Sequence, residues 1–154
     1  MKPAVRAILL GGAIAGLLDI TYACVHSAIA SGATPTQVLH SVAAGAIGRD
    51  AAKAGGVPTA ALGLALHFFI ALSMAACFVG ATRVEPRLNR WPVLAGLVYG
   101  RGLYVVMNYV VVPLSAIGAV FHAPTGQFFY GALVTHTLFV GIPIALCARR
   151  YAAA

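Results

Sequence analysis

Residues 4–30 read AVRAILLGGAIAGLLDITYACVHSAIA. Beyond Arg6 near its start, the only formal charge in this stretch is Asp19. At about 1.5 Å per residue, a helix of this length exceeds the roughly 30 Å thickness of a bilayer's hydrocarbon core. Three further stretches have the same character, from Pro58 to Ala81, from Trp91 to Pro113 and from Gly126 to Ala148. Their ends fit spanning helices: Pro58 suits a first helical turn, Trp91 and Tyr151 suit the interfacial aromatic belt, and Pro113 marks a stop. The expected fold is therefore all-α, a single domain over residues 1–154 built as an integral-membrane bundle of four transmembrane helices.

Composition agrees. Of 154 residues, 61% are hydrophobic and 8% charged, against roughly 45–50% and 25% in an average soluble domain. Ten basic and three acidic side chains cannot cover the surface of a soluble core, so lipid is the expected solvent. The net charge of +7 would suggest nucleic acid in a soluble protein. Here the basic residues cluster beside apolar runs and act as topology signals, so no nucleic-acid partner is expected. Ala28-Ile29-Ala30 has the spacing of a signal-peptidase site. The run before it is longer than the roughly 7–15 residues of a signal segment and contains Asp19, so it reads as a retained span. Cys24, Cys77 and Cys147 lie inside apolar segments without a CxxC pair, as buried free thiols would.

Four spans place both termini on one side. Lys2, Arg6, Arg83, Arg87, Arg90, Arg149 and Arg150 fall on that side, and Arg49 and Lys53 on the other. The positive-inside rule then puts both termini in the cytoplasm. The segment from Ser31 to Val57 faces outward and carries a helix of its own. Thr34-Pro35-Thr36-Gln37 forms a capping box, and Val38, Leu39, Val42 and Ala46 recur at helical spacing. A short amphipathic helix over about residues 35–47 follows, lying at the interface or dipping into the bundle, and ending near Gly45 or Gly48. Gly55-Gly56 forms a joint to the second span.

In lipid, helices associate through small residues that let backbones approach. Gly12 and Gly16 form a GxxxG pair in the first span and Gly96 and Gly100 another in the third; Gly63, Ala71 and Ala75 share a stripe in the second. Gly141-Ile142-Pro143 predicts a kink in the fourth.

Each span also carries one titratable side chain at mid-depth. By helical rise, Asp19 lies about 20 Å from Arg6, Arg101 about 16 Å from Arg90, His67 about 16 Å from Gly56 and His136 about 15 Å from Gly126. Such groups face the bundle interior and find partners, because an unpaired charge there costs at least about 2.5–3.5 kcal/mol. Asp19 shares the helix face of Gly12 and Gly16. An Asp19–Arg101 ion pair is the expectation, with His67 and His136 nearby and Asn108, Tyr104, Thr135 and Thr21 as further members.

Three roles for this cluster stand open. It can be a structural network that fixes helix register. It can hold or pass a small molecule, ion or proton, for which histidine, with an unperturbed pKa near 6.5, is suited. It can be a redox site in which His67 and His136 ligate a b-type haem or a metal, although Arg101 opposes a cation. The second role, or that of an accessory subunit, is the reading taken, with no cofactor; haem or metal is the alternative. A lipid-acting enzyme is a third possibility, supported only by the outer helix. His26 and His40 near the outer interface, and His122 before Pro124, are expected to be solvated, unless His40 and His122 meet at the outer mouth. Partners beyond the lipid bilayer would be a second copy or a larger membrane complex. No nucleophile elbow, P-loop, HExxH or dinucleotide-binding glycine motif is present.

The order Thr34-Pro35 to Gly48, Leu66-His67-Phe68, Arg87 to Trp91, Gly96 to Gly100, Met107-Asn108, Pro113-Leu114-Ser115, and His136 with Gly141-Ile142-Pro143 before Arg149-Arg150 resembles small bacterial inner-membrane proteins of unassigned function. Its second half is similar to the YagU-type inner-membrane proteins, which share the His-bearing span, the basic loop followed by Trp, and a His-bearing last span. It departs from that type in its short first outer loop. The resemblance implies a four-helix protein of the bacterial inner membrane and no particular activity.

Overall fold

The computed structural model describes residues 1–118 and 124–152; His122 lies outside the described residues. Among those described, the structure is helical throughout, and four helices are long and apolar enough to cross a membrane. Helix α1 (Pro3–Ser31) starts on Pro3 and ends at Gly32, whose φ of +70° provides the left-handed turn of a Schellman-type cap. Helix α2 (Pro35–Ile47) carries the capping box: the Gln37 N–H donates to Thr34 Oγ1 at 3.3 Å and the Thr34 N–H donates to Gln37 Oε1 at 2.8 Å. The chain turns at Gly48, with Gly45 inside the helix, and a short α3 (Arg49–Ala54) leads through Gly55 to α4 (Gly56–Val84). One 3-10 turn (Pro86–Asn89) connects to α5 (Pro92–Leu114), and α6 (Gly126–Tyr151) completes the set.

Two long helices are not α-helical throughout. In α5, residues Met107–Val111 form a π-helical turn just before Pro113; in α6, Thr135–Gly141 do the same just before Pro143. Proline lacks an N–H and its ring clashes with the carbonyl four residues back. A widened turn relieves both problems, so the helices run on through their prolines, α5 as far as Leu114.

Helix α1 packs against α4 and α6, and α5 packs against α6 and touches α4, where the Tyr99 hydroxyl donates to the Met74 carbonyl at 2.7 Å. Small residues set the distances. A Cβ at Gly12 would stand 2.8 Å from Leu72 Cα in α4, and one at Gly16 would stand 2.9 Å from the Phe68 ring. In the second seam, Gly96 and Gly100 of α5 meet the backbone of Gly141 and His136 in α6 so closely that no side chain fits. Helix α2 presses the Leu39 carbonyl onto Gly63 of α4, and the Ala116 N–H after α5 donates to the Gly45 carbonyl at 2.9 Å. The predicted amphipathic helix thus closes the space between α4 and α5 rather than lying free.

The two halves of the assembly differ. Toward the termini, Ala7, Ala75, Phe78, Leu103, Val140 and Ile144 belong to a continuous apolar core, and the Arg6 guanidinium sits 4.6 Å from the centre of the Tyr151 ring. Toward α2, polar side chains and cavities lie between the helices.

Candidate functional site

Asp19 stands where these halves meet. Its position three residues beyond Gly16 keeps it on the face that packs against α4 and α6. From α6, the Thr135 hydroxyl donates to Asp19 Oδ1 at 3.1 Å. From α4, buried His67 brings Nδ1 to 3.8 Å from Asp19 Oδ2, while its Nε2 lies 2.8 Å from the Gly16 carbonyl. A carbonyl only accepts, so Nε2 carries the hydrogen. In a neutral ring Nδ1 is then a lone pair facing a carboxylate oxygen, and two acceptors so placed require a proton or a donor group between them.

His136 repeats the pattern. Its Nδ1–H donates to the Ala132 carbonyl one turn back, at 2.8 Å, which leaves Nε2 as the free acceptor of a neutral ring. Asp19, Val42, His67 and His136 line two adjoining cavities. One, of about 280 Å³, opens between α1, α2 and α6 beside His26; the other, of about 200 Å³, lies between α4, α5 and α6 and is also lined by Asn108. The Asn108 amide donates to the Tyr104 carbonyl at 2.9 Å. Tyr104 is buried beside them with its ring edge-on to His136.

Asp19, His67, His136, Asn108 and Thr135 therefore gather as the sequence suggests, but Arg101 and Thr21 do not. Both are exposed, and no Asp19–Arg101 ion pair forms. The reason is helical phase. Gly100 marks the buried face of α5, and the next residue is rotated by about 100°, which places Arg101 with Leu94, Val98 and Val105 on the outer side. His67 and Thr135 are the groups that approach Asp19 instead.

His26 departs from expectation in the other direction. It lies on the Asp19 face of α1, stacks on Tyr22 at 5.5 Å between ring centres, meets Phe128 edge-on, and lines the larger cavity. Its spacing of seven residues from Asp19 was the available signal. His40 is half-buried, and its Nε2–H donates to the Gly56 carbonyl at 2.8 Å, tying α2 to the start of α4. All three cysteines are free; Cys147 is buried, Cys24 half-buried, and Cys77 exposed on the outside of α4.

Among the described residues no three His, Cys, Asp or Glu side chains converge in a metal-binding arrangement. A metal or haem iron at this centre would have to use Nδ1 of His67 and Nε2 of His136, the nitrogens left free by the Gly16 and Ala132 carbonyls. Comparison with protein-family models, curated proteins and solved structures gives no match for this chain.

Proposed function

We propose that the chain is a multi-pass protein of a bacterial cytoplasmic membrane, with both termini inside, and that it binds a small cationic or hydrogen-bond-donating solute between α1, α4 and α6. The four apolar helices and the bias of basic residues toward the terminal side support this placement, which accords with the inner-membrane proteins that the motif order resembles. One observation carries the solute reading. Three of the polar groups left uncommitted at the cavities, Asp19 Oδ2, His67 Nδ1 and His136 Nε2, are acceptors in the ionised carboxylate and neutral imidazoles, and the buried, unpartnered Nε2 of His26 stands beside them in the larger cavity.

The surroundings suit such a ligand. The cavity walls are mostly apolar, with a few converging polar groups, as in small-molecule sites generally. The close-packed core lies toward the termini and the cavities toward α2, so this conformation offers a site entered from the α2 side rather than an open pore. Movement of the solute to the other side would require the seams at Gly12 or Gly100 to part.

Calorimetric titration of the purified protein in lipid nanodiscs with n-butylammonium chloride tests this, with sodium butyrate as the anionic counterpart of similar size. The amine should bind and butyrate should not. Equal heats for amine and carboxylate, or no binding of butylammonium, methylammonium or guanidinium, would remove the solute reading.

A further inference from the structure

Arg101 is the one basic residue that sits more than two turns from either end of a long helix. It lies nine positions into α5, about 14 Å along the helix from Pro92, and Trp91, largely exposed, marks that end. Its neighbours on the outward stripe are Leu94, Val98 and Val105, exposed by 59%, 63% and 51%. Helix α5 is also the least enclosed of the four: 11% of its most apolar stretch is buried, against 50% in α6. A guanidinium on such a stripe faces hydrocarbon. Leaning back toward Trp91 lessens its depth without bringing it to water. An unpaired arginine in this position is among the most unfavourable side chains a membrane helix can carry.

Nothing within the described chain neutralises it. Of the three carboxylates, Asp19 is held between α1, α4 and α6, while Asp50 and Glu85 lie at opposite ends of α4, beyond the depth of Arg101. A second copy fares no better, because a two-fold contact through this stripe sets Arg101 against Arg101, and that copy's Asp19, although at mid-depth, is held inside between α1, α4 and α6. Beside Arg101, a Cβ added at Gly102 would meet nothing within 4 Å, so the outer surface there is flat enough for close approach of a helix. We infer that the outward stripe of α5 around Arg101 docks a membrane-spanning helix of another protein, and that this helix bears an Asp or Glu level with Arg101. Within the membrane such a pair gains both charge neutralisation and directed hydrogen bonds, and it fixes the depth and register of the two helices.

The inference rests on the membrane reading above and not on the solute site. It is tested with the full-length protein in its own membranes, with the photo-crosslinker p-benzoylphenylalanine in place of Val98 or Val105. The expected adduct is a peptide from a spanning segment of a different protein with an acidic residue within one turn of the cross-link. Its yield should fall at least tenfold in Arg101→Leu, a variant that enters lipid more readily than the parent, so that loss of the adduct does not reflect loss of insertion. Arg101→Glu should also abolish it, and exchange of the partner's acid for arginine should restore it. Adducts to lipid alone, to a second copy or to a segment without an acid would each overturn the inference, as would an undiminished yield in Arg101→Leu. Release of the chain by alkaline carbonate would instead overturn the membrane reading, and the inference with it.

Discussion

His67 is held by two residues of one helix: its Nε2–H donates to the Gly16 carbonyl and its Nδ1 faces Asp19 Oδ2 at 3.8 Å, three residues further along α1. The first contact fixes the ring and its tautomer; the second leaves a gap that asks for a donor. Position and chemistry are thereby separated, and substitutions can address them one at a time.

Asp19→Asn should leave the fold in place, because the amide oxygen can still accept from Thr135, whereas the anionic acceptor is gone. Butylammonium affinity should fall at least tenfold, with a thermal midpoint in detergent near that of the parent. His67→Ala should behave differently. It leaves a void and removes a buried donor from the α1–α4 contact, for a loss of about 1–3 kcal/mol, seen as a lower unfolding midpoint together with lost binding. Unchanged affinity in Asp19→Asn would exclude the carboxylate from the site.

The second seam gives a sharp contrast between near neighbours. Leucine at Gly100 would drive its side chain into the His136 backbone, so Gly100→Leu should separate α5 from α6, at about 3 kcal/mol or more. Gly102→Ala places a methyl in open space and removes a glycine from a helix interior, so its stability should equal the parent's or exceed it by up to about 1 kcal/mol. Thermal unfolding in detergent, followed by size exclusion, distinguishes the two.

Topology is open to direct measurement. In a variant with Cys24, Cys77 and Cys147 replaced by alanine, a cysteine at Lys53 should react in intact cells with a membrane-impermeant maleimide. One at Ala152 should react only after permeabilisation. The reverse pattern would place the termini outside and turn the cavity mouth toward the cytoplasm.

The purified protein should lack a Soret band. Nε2 of His67 is engaged by the Gly16 carbonyl, and its other nitrogen confronts a carboxylate. A Soret band that disappears in His67→Ala or His136→Ala would replace the solute reading with a haem one.

How far the sequence discloses this arrangement depends on whether length, phase or turn geometry is in question. The four long helices follow from apolar length, and the α2 capping box from the Thr34 and Gln37 spacing. The α1–α4 contact, with Asp19 on it, is visible because Gly12, Gly16 and Asp19 share a face. Arg101 misled because depth alone suggested a partner for Asp19; the phase of Gly96 and Gly100, equally present in the sequence, turns it outward. His26 was misjudged through the opposite neglect, since depth hid a shared face with Asp19. The Gly16 carbonyl and the wide turns carry no side-chain signature. Only the prolines at Pro113 and Pro143 hint that the backbone must yield nearby.

One of those wide turns has a consequence for the whole of α6. Gly131 abuts His26 and Ile144 abuts Gly11, so both face α1; yet residues 13 positions apart would diverge by about 140° around an uninterrupted α-helix. The widened turn at Thr135–Gly141 takes up part of that angular error, so that both ends of α6 still meet α1. Excising Leu138 would tighten the coil and swing Ile144 and Cys147 out of the crevice at Gly11. The span's length in residues is therefore set by rotational alignment as well as by the thickness it must cross.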